Sequence, residues 1–175
     1  MNGEYVVQGG GSMKNWLVIL IPVFLCTTLP AYADGVFLEG GQGFFRSSDS
    51  QALFVSYQMD SSLIPALNLY YKGTLGAWSG DNRNDAVALA LGILLNLPKK
   101  TYFCFEPGEA YITELTDNLG THLQFSFRFA VGMKIDKADL SLGYRHFSNG
   151  DGIFDWTDTP NYGENFITLQ AGYLF

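Results

Sequence analysis

From residue 122 to 135 the chain reads HLQFSFRFAVGMKI. Leu123, Phe125, Phe127, Phe129, Val131, Met133 and Ile135 share one face of an extended strand, and His122, Gln124, Ser126, Arg128, Ala130, Gly132 and Lys134 share the other. Neighbouring side chains of a strand point to opposite faces, so this segment has one fully apolar face and no helical period. Seven further segments alternate in the same way, giving strands expected at roughly 35–45, 51–60, 66–78, 86–97, 101–113, 122–135, 139–148 and 164–175, with turn-rich punctuation between them.

A soluble sandwich would also alternate, with its apolar faces turned inward. Three features favour a membrane barrel instead. The segments have the length of about 9–13 residues that tilted strands need to cross a bilayer. In the fourth, Val87, Leu89, Leu91, Ile93, Leu95 and Leu97 oppose Ala86, Ala88, Ala90 and Gly92, so the second face is small enough for a narrow barrel interior. The last segment, NFITLQAGYLF, ends on the aromatic Phe175, an ending that resembles those of bacterial outer-membrane barrels. Open sheet edges cannot face hydrocarbon, so eight such strands are expected to close into an all-β, eight-stranded antiparallel transmembrane β-barrel.

Composition agrees: of 175 residues 47% are hydrophobic and only 15% charged, with 14 Phe, 10 Tyr and 20 Gly. The net charge of −7 argues against a nucleic-acid partner, which would need clustered Lys and Arg. The one long apolar run, at residues 13–34, has Lys14 at its start, an eleven-residue apolar stretch interrupted by Pro22, and Ala31-Tyr32-Ala33 at its end. It is too short for a spanning helix and fits an export signal cut after Ala33, with Met13 the better initiator. The domain organisation is therefore an N-terminal extension and signal peptide over 1–33 and a single outer-membrane barrel over 34–175. The barrel's one cysteine, Cys104, precludes an internal disulfide and a Cys-based metal site and suits a packed or lipid-facing residue.

With both ends periplasmic, residues 60–65, 98–100 and 136–139 become short periplasmic turns. Residues 79–85, 114–121 and 148–163 become external loops. The segment LSLGYRHFSNG (140–150) then poses a question. Leu140, Leu142 and Tyr144 face lipid, and by parity so do His146 and Ser148. Polar groups facing a membrane are costly unless they are paired or functional. A His base and a Ser nucleophile on one face are within reach of each other, and need a third group to orient the imidazole and an oxyanion hole beyond it. Two polar residues at headgroup level would also explain the pattern.

YRHFSN (144–149), followed by a loop, PNYGENF (160–166) and a final strand ending in Phe, resembles the outer-membrane lipid A 3-O-deacylases of the PagL type. The resemblance is close over the last third and extends elsewhere as barrel pattern. It implies a Ser-His-acid triad on the outside of the barrel, with Ser148 as nucleophile and His146 as base. It also implies that Asn149 and Asn161 lie in the active-site region, with Asn161 offering its amide to the oxyanion and a backbone N–H of the Gly150–Gly152 turn completing the hole. No metal or cofactor is implied. The substrate would be lipid A or lipopolysaccharide in the outer leaflet, cut at its 3-linked hydroxyacyl ester.

The third triad member departs from the family pattern, which has Pro-Asn-x-Gly-x-Glu. Here Glu164 comes one residue early and Asn165 occupies the glutamate's slot. Counting back from Phe175 through Tyr173, Ala171, Leu169 and Ile167 places Asn165 on the outer face with His146. Chemistry favours Glu164, whose carboxylate would stabilise imidazolium better, and a bulge at the start of the strand would turn it outward. Both stand as candidates. Two other functions fit the barrel: a non-catalytic adhesin or structural barrel, and a lipid A acyltransferase. Asp151, Asp155 and Asp158 lack EF-hand spacing and read as a solvated loop. Phe154, Trp156 and Tyr162 either dip into the bilayer or sit as interfacial aromatics. Arg128, Lys134 and Arg145 face inward, with Glu39 and Asp60 as candidate partners. A homodimer would need side-chain contacts, because a barrel has no free edge.

Overall fold

Each of the eight alternating segments forms a strand. The computed structural model describes residues 33–61, 63–64, 68–80, 82–150 and 161–175. All of the expected signal peptide but Ala33 lies outside these residues, as do Gly152, the loop carboxylates Asp151, Asp155 and Asp158, and the loop aromatics Phe154 and Trp156. The strands are β1 (Ala33–Gly43), β2 (Gln51–Ser61), β3 (Asn68–Ser79), β4 (Asn84–Asn96), β5 (Thr101–Ile112), β6 (Leu123–Ile135), β7 (Ala138–Ser148) and β8 (Glu164–Leu174). Each pairs antiparallel with the next, and β8 returns to β1 from Gly35↔Leu174 to Gly43↔Phe166, so the barrel is closed. Closure pairs the backbone polar groups of every strand, which a sheet in hydrocarbon requires.

The expected strand limits shift where local chemistry intervenes. β1 stops at Gly43 rather than at residue 45, because Phe45 adopts φ +55 and begins a 3-10 turn over Phe45–Ser47. His122 falls outside β6 and turns outward, stacking on Tyr111 with ring centroids 5.5 Å apart. Between Ala90↔Gly108 and Ile93↔Phe105 the β4–β5 ladder carries no pairs, at the place where Pro107 has no N–H to donate.

The two faces of the wall differ as alternation requires. Leu123, Val131, Met133, Leu140, Leu142 and Leu169 stand exposed on the outside, while Gln124, Ser126, Arg128, Ser141 and Gln170 are buried within. The lumen is packed in layers. At the loop end Phe54, Trp78, Phe147 and Phe166 form an aromatic plug with Ile112 and Leu119.

Beneath it lies an ionic layer. Arg145 grips Glu39 through two hydrogen bonds of 3.0 and 2.9 Å, Arg128 lies 3.3 Å from the same carboxylate, and Lys72 lies 2.9 Å from Glu106. Glu106 and Lys72 complete this network beside the anticipated Glu39. Charges so far from water are tolerable only when paired in this way. Tyr70 and Tyr102 fill the next layer, and Gly92 is required there because a β-carbon would overlap the Tyr70 ring. Cys104 is buried in this lumenal layer, not facing lipid.

Both ends of the barrel chain and the tight turns after β4 and β6 lie at one rim. The other rim carries the longer β5–β6 and β7–β8 connections and the 3-10 turn.

Candidate active site

The candidate residues gather on the outer wall at the loop rim, across β6, β7 and β8. Register brings them together: His146 pairs with Phe127 on one side and Asn165 on the other, and Ser148 pairs with Phe125. Outward parity along β7 therefore runs from Leu140 and Leu142, which are exposed, to Tyr144, His146 and Ser148, which are half-buried.

His146 Nδ1 lies 2.9 Å from Asn165 Oδ1. The Tyr144 hydroxyl donates to the same oxygen at 2.7 Å. Asn165 Nδ2 faces the carbonyl oxygen of Gly163 at 3.5 Å. A carbonyl can only accept, so the amide nitrogen belongs on that side and Oδ1 belongs on the histidine side. The imidazole must then carry its proton on Nδ1, which leaves Nε2 with a free lone pair. The ring is wedged in place: Phe127 lies 4.8 Å away centroid to centroid, Tyr144 lies 6.2 Å away, and a β-carbon on Gly163 would sit 2.5 Å from Cε1.

Glu164 stands on the opposite side of the wall. It pairs with Phe147, is fully buried, and accepts a 2.8 Å hydrogen bond from Asn118 Nδ2. The Asn118 carbonyl also accepts from the Gly163 N–H at 3.0 Å, so one asparagine of the β5–β6 connection braces both residues at the entry to β8. No bulge turns Glu164 outward; β8 is regularly paired from its first residue.

Beyond the histidine, Asn161 Oδ1 accepts the backbone N–H of Asn149 at 3.0 Å. With its oxygen engaged, the end that Asn161 can offer is its NH₂. Gly150 turns the chain at φ +77 directly after Asn149, where a left-handed conformation suits glycine. Asn149 itself is buried. Among the described residues no hydrogen bond joins Ser148 Oγ to His146, a contact that in many hydrolases tightens only around substrate.

Five contributors carry no site signal of their own in the sequence. Tyr144 is two residues before His146 on the same face, so parity alone marks it as a neighbour. Gly163 was visible only as part of the PNYGENF motif. Ser47 accepts the Asn165 N–H at 3.2 Å, and Phe44 donates its N–H to the Asn165 carbonyl at 3.1 Å, so the 3-10 turn of the β1–β2 connection fastens β8 at the site. Neither Ser47 nor Asn118 carries a sequence signal for this role. Arg46 in the same turn lies 3.5 Å over the ring of Tyr162, at the solvent edge.

A family model described as lipid A 3-O-deacylase (PagL) matches residues 51–174, well over half of the chain. No curated protein matches it by sequence. Among solved structures, the outer-membrane enzyme PagL superposes with a TM-score of 0.65 at 17% identity, covering 81% of this chain and 99% of that one. Neisserial surface protein A superposes with a TM-score of 0.54 at 9% identity, covering 81% and 95%. Both likenesses are of fold alone.

Proposed function

The chain belongs to the lipid A 3-O-deacylase (PagL) family, and on that premise we propose that it is a serine esterase that removes the 3-linked hydroxyacyl chain of lipid A in the outer leaflet of the outer membrane. The observation that carries the proposal is the His146 Nδ1 to Asn165 Oδ1 contact of 2.9 Å, on the lipid-facing wall and one outward position from Ser148. A polar triplet of this kind on a membrane face has a cost that a lipid ester substrate accounts for.

In the proposed reaction His146 Nε2 takes the proton of Ser148 Oγ as that oxygen attacks the ester carbonyl carbon. Charge develops on the carbonyl oxygen, where the Asn161 NH₂ would receive it, joined, as the sequence resemblance implies, by a backbone N–H of residues 150–152. The tetrahedral intermediate collapses, the bond to the sugar 3-oxygen breaks, and the imidazolium returns its proton to that oxygen. Water, deprotonated by His146, then attacks the acyl-serine; the bond to Ser148 Oγ breaks, the imidazolium returns its proton to that oxygen, and the hydroxy fatty acid is released. Asn165 is the proposed third member: it orients the imidazole and holds Nδ1 protonated throughout. Export through a signal peptide cut after Ala33 would leave a mature chain that begins inside β1.

Purified barrel in mixed micelles with lipid A tests this directly. Release of free 3-hydroxy fatty acid by the wild type and its loss in Ser148→Ala are expected. A wild-type preparation that is folded but releases nothing would refute the proposal.

A further inference from the structure

We propose that Tyr144 and Gly163 form an amide lock, a pair of positioning residues that hold Asn165 in the one orientation that keeps His146 a base. The inference rests on the esterase reading above and concerns how this chain works with an amide where the family has a carboxylate.

A carboxylate beside a histidine presents two equivalent oxygens, and rotating it changes nothing. An asparagine presents an acceptor on one side and a donor on the other. With Oδ1 toward the histidine, Nδ1–H is donated and Nε2 keeps its lone pair for the Ser148 proton. With the amide rotated by half a turn, Nδ2 would donate to Nδ1, the ring proton would move to Nε2, and Ser148 would face an N–H instead of a base. The substitution of Asn165 for glutamate therefore creates a binary choice, and one outcome is inactive.

Two contacts make the choice. The Tyr144 hydroxyl reaches Oδ1 at 2.7 Å, and the Gly163 carbonyl faces Nδ2 at 3.5 Å. Rotating the amide would set its oxygen against the Gly163 oxygen and deprive the hydroxyl of its best acceptor. Both parts of the lock are themselves fixed. The Tyr144 ring is held by Phe44 and Phe127, at 5.7 and 5.8 Å. The Gly163 carbonyl is aimed by φ +72, and its N–H is tied to Asn118. A single carboxylate would need neither hydroxyl nor carbonyl, so the lock matters only while residue 165 is an amide.

That conditional role gives the test. Tyr144→Phe removes one oxygen and keeps the ring. In the Asn165 protein it should lower kcat about tenfold with KM unchanged, the loss of roughly one hydrogen bond's worth of orientation. In the Asn165→Glu background the same change should cost less than about twofold. Nitrogen-15 NMR of histidine-labelled barrel, with His122→Gln used to assign the second ring, should show His146 only as the Nδ1–H tautomer in wild type. Tyr144→Phe should bring in the Nε2–H form. An unchanged tautomer in Tyr144→Phe, or an equal kcat loss in both backgrounds, would overturn the lock. Should the wild type cleave no lipid A ester, the esterase reading fails while the tautomer ratio still decides the lock on its own.

Discussion

Asn165 stands directly across the β7–β8 ladder from His146 with 2.9 Å between Oδ1 and Nδ1, while its neighbour Glu164 stands across from Phe147 inside the barrel. The two candidate partners of the histidine are thus on opposite sides of the wall. Asn165→Ala is expected to lower kcat roughly a hundredfold or more, because the imidazole loses the group that sets its tautomer. Glu164→Ala should cost at least ten times less in kcat than Asn165→Ala does. Its main effect should be about 1–3 kcal/mol of stability through the unsatisfied Asn118 amide. Paired measurements of kcat and denaturant unfolding separate these outcomes.

Gly163→Ala should be worse than its small size suggests. At φ +72 a β-carbon costs about 1–2 kcal/mol in backbone strain, and this one would press on the imidazole at 2.5 Å from Cε1. Activity per folded molecule is expected to fall along with the unfolding midpoint. A variant that is destabilised but fully active would show that the imidazole tolerates displacement.

How much of this was legible in the sequence divides along physical lines. Period-two alternation over Leu123–Ile135 and its seven counterparts carries the barrel, because lipid outside and a crowded lumen inside impose opposite chemistry on alternate residues. The same parity places Asn165 on the face of His146. Contacts made by connections were not legible. Asn118 reaches Glu164 from 46 positions away and Ser47 reaches Asn165 from 118, and nothing local in either segment encodes the meeting. The early end of β1 has no local signature for the same reason: Phe44 and Phe45 continue the sequence pattern, but the turn that binds β8 takes them out of the strand.

The lumenal ion network should govern stability and leave chemistry alone. Glu106 is buried against Lys72 and Arg128; Glu106→Ala leaves Arg128 its contact with Glu39 but deprives the buried Lys72 of its carboxylate, and should destabilise the barrel by about 3–5 kcal/mol. Asp136→Asn, which removes the exposed 3.8 Å pair with Lys100, should leave the unfolding midpoint where it is. Denaturant unfolding of both variants in the same detergent makes the comparison.

The turn after β4 offers a stabilising change. Lys99 and Lys100 both adopt φ +61, which a two-residue hairpin turn requires and lysine resists. Replacing the pair with Asn-Gly should raise stability by about 1 kcal/mol, the relief of strain exceeding the entropy glycine adds to the unfolded chain. The turn is at the rim opposite the site, so fatty-acid release should be unaffected.

The central claim is that Ser148 on the outer wall cleaves an ester of lipid A, and the mass spectrum of lipid A from cells producing the protein tests it most directly. Cells with the wild type should yield lipid A lighter by one 3-hydroxyacyl chain, and cells with equally abundant, folded Ser148→Ala should yield lipid A of unaltered mass. Lipid A heavier by one acyl chain, or the same lighter species from Ser148→Ala, would contradict the account.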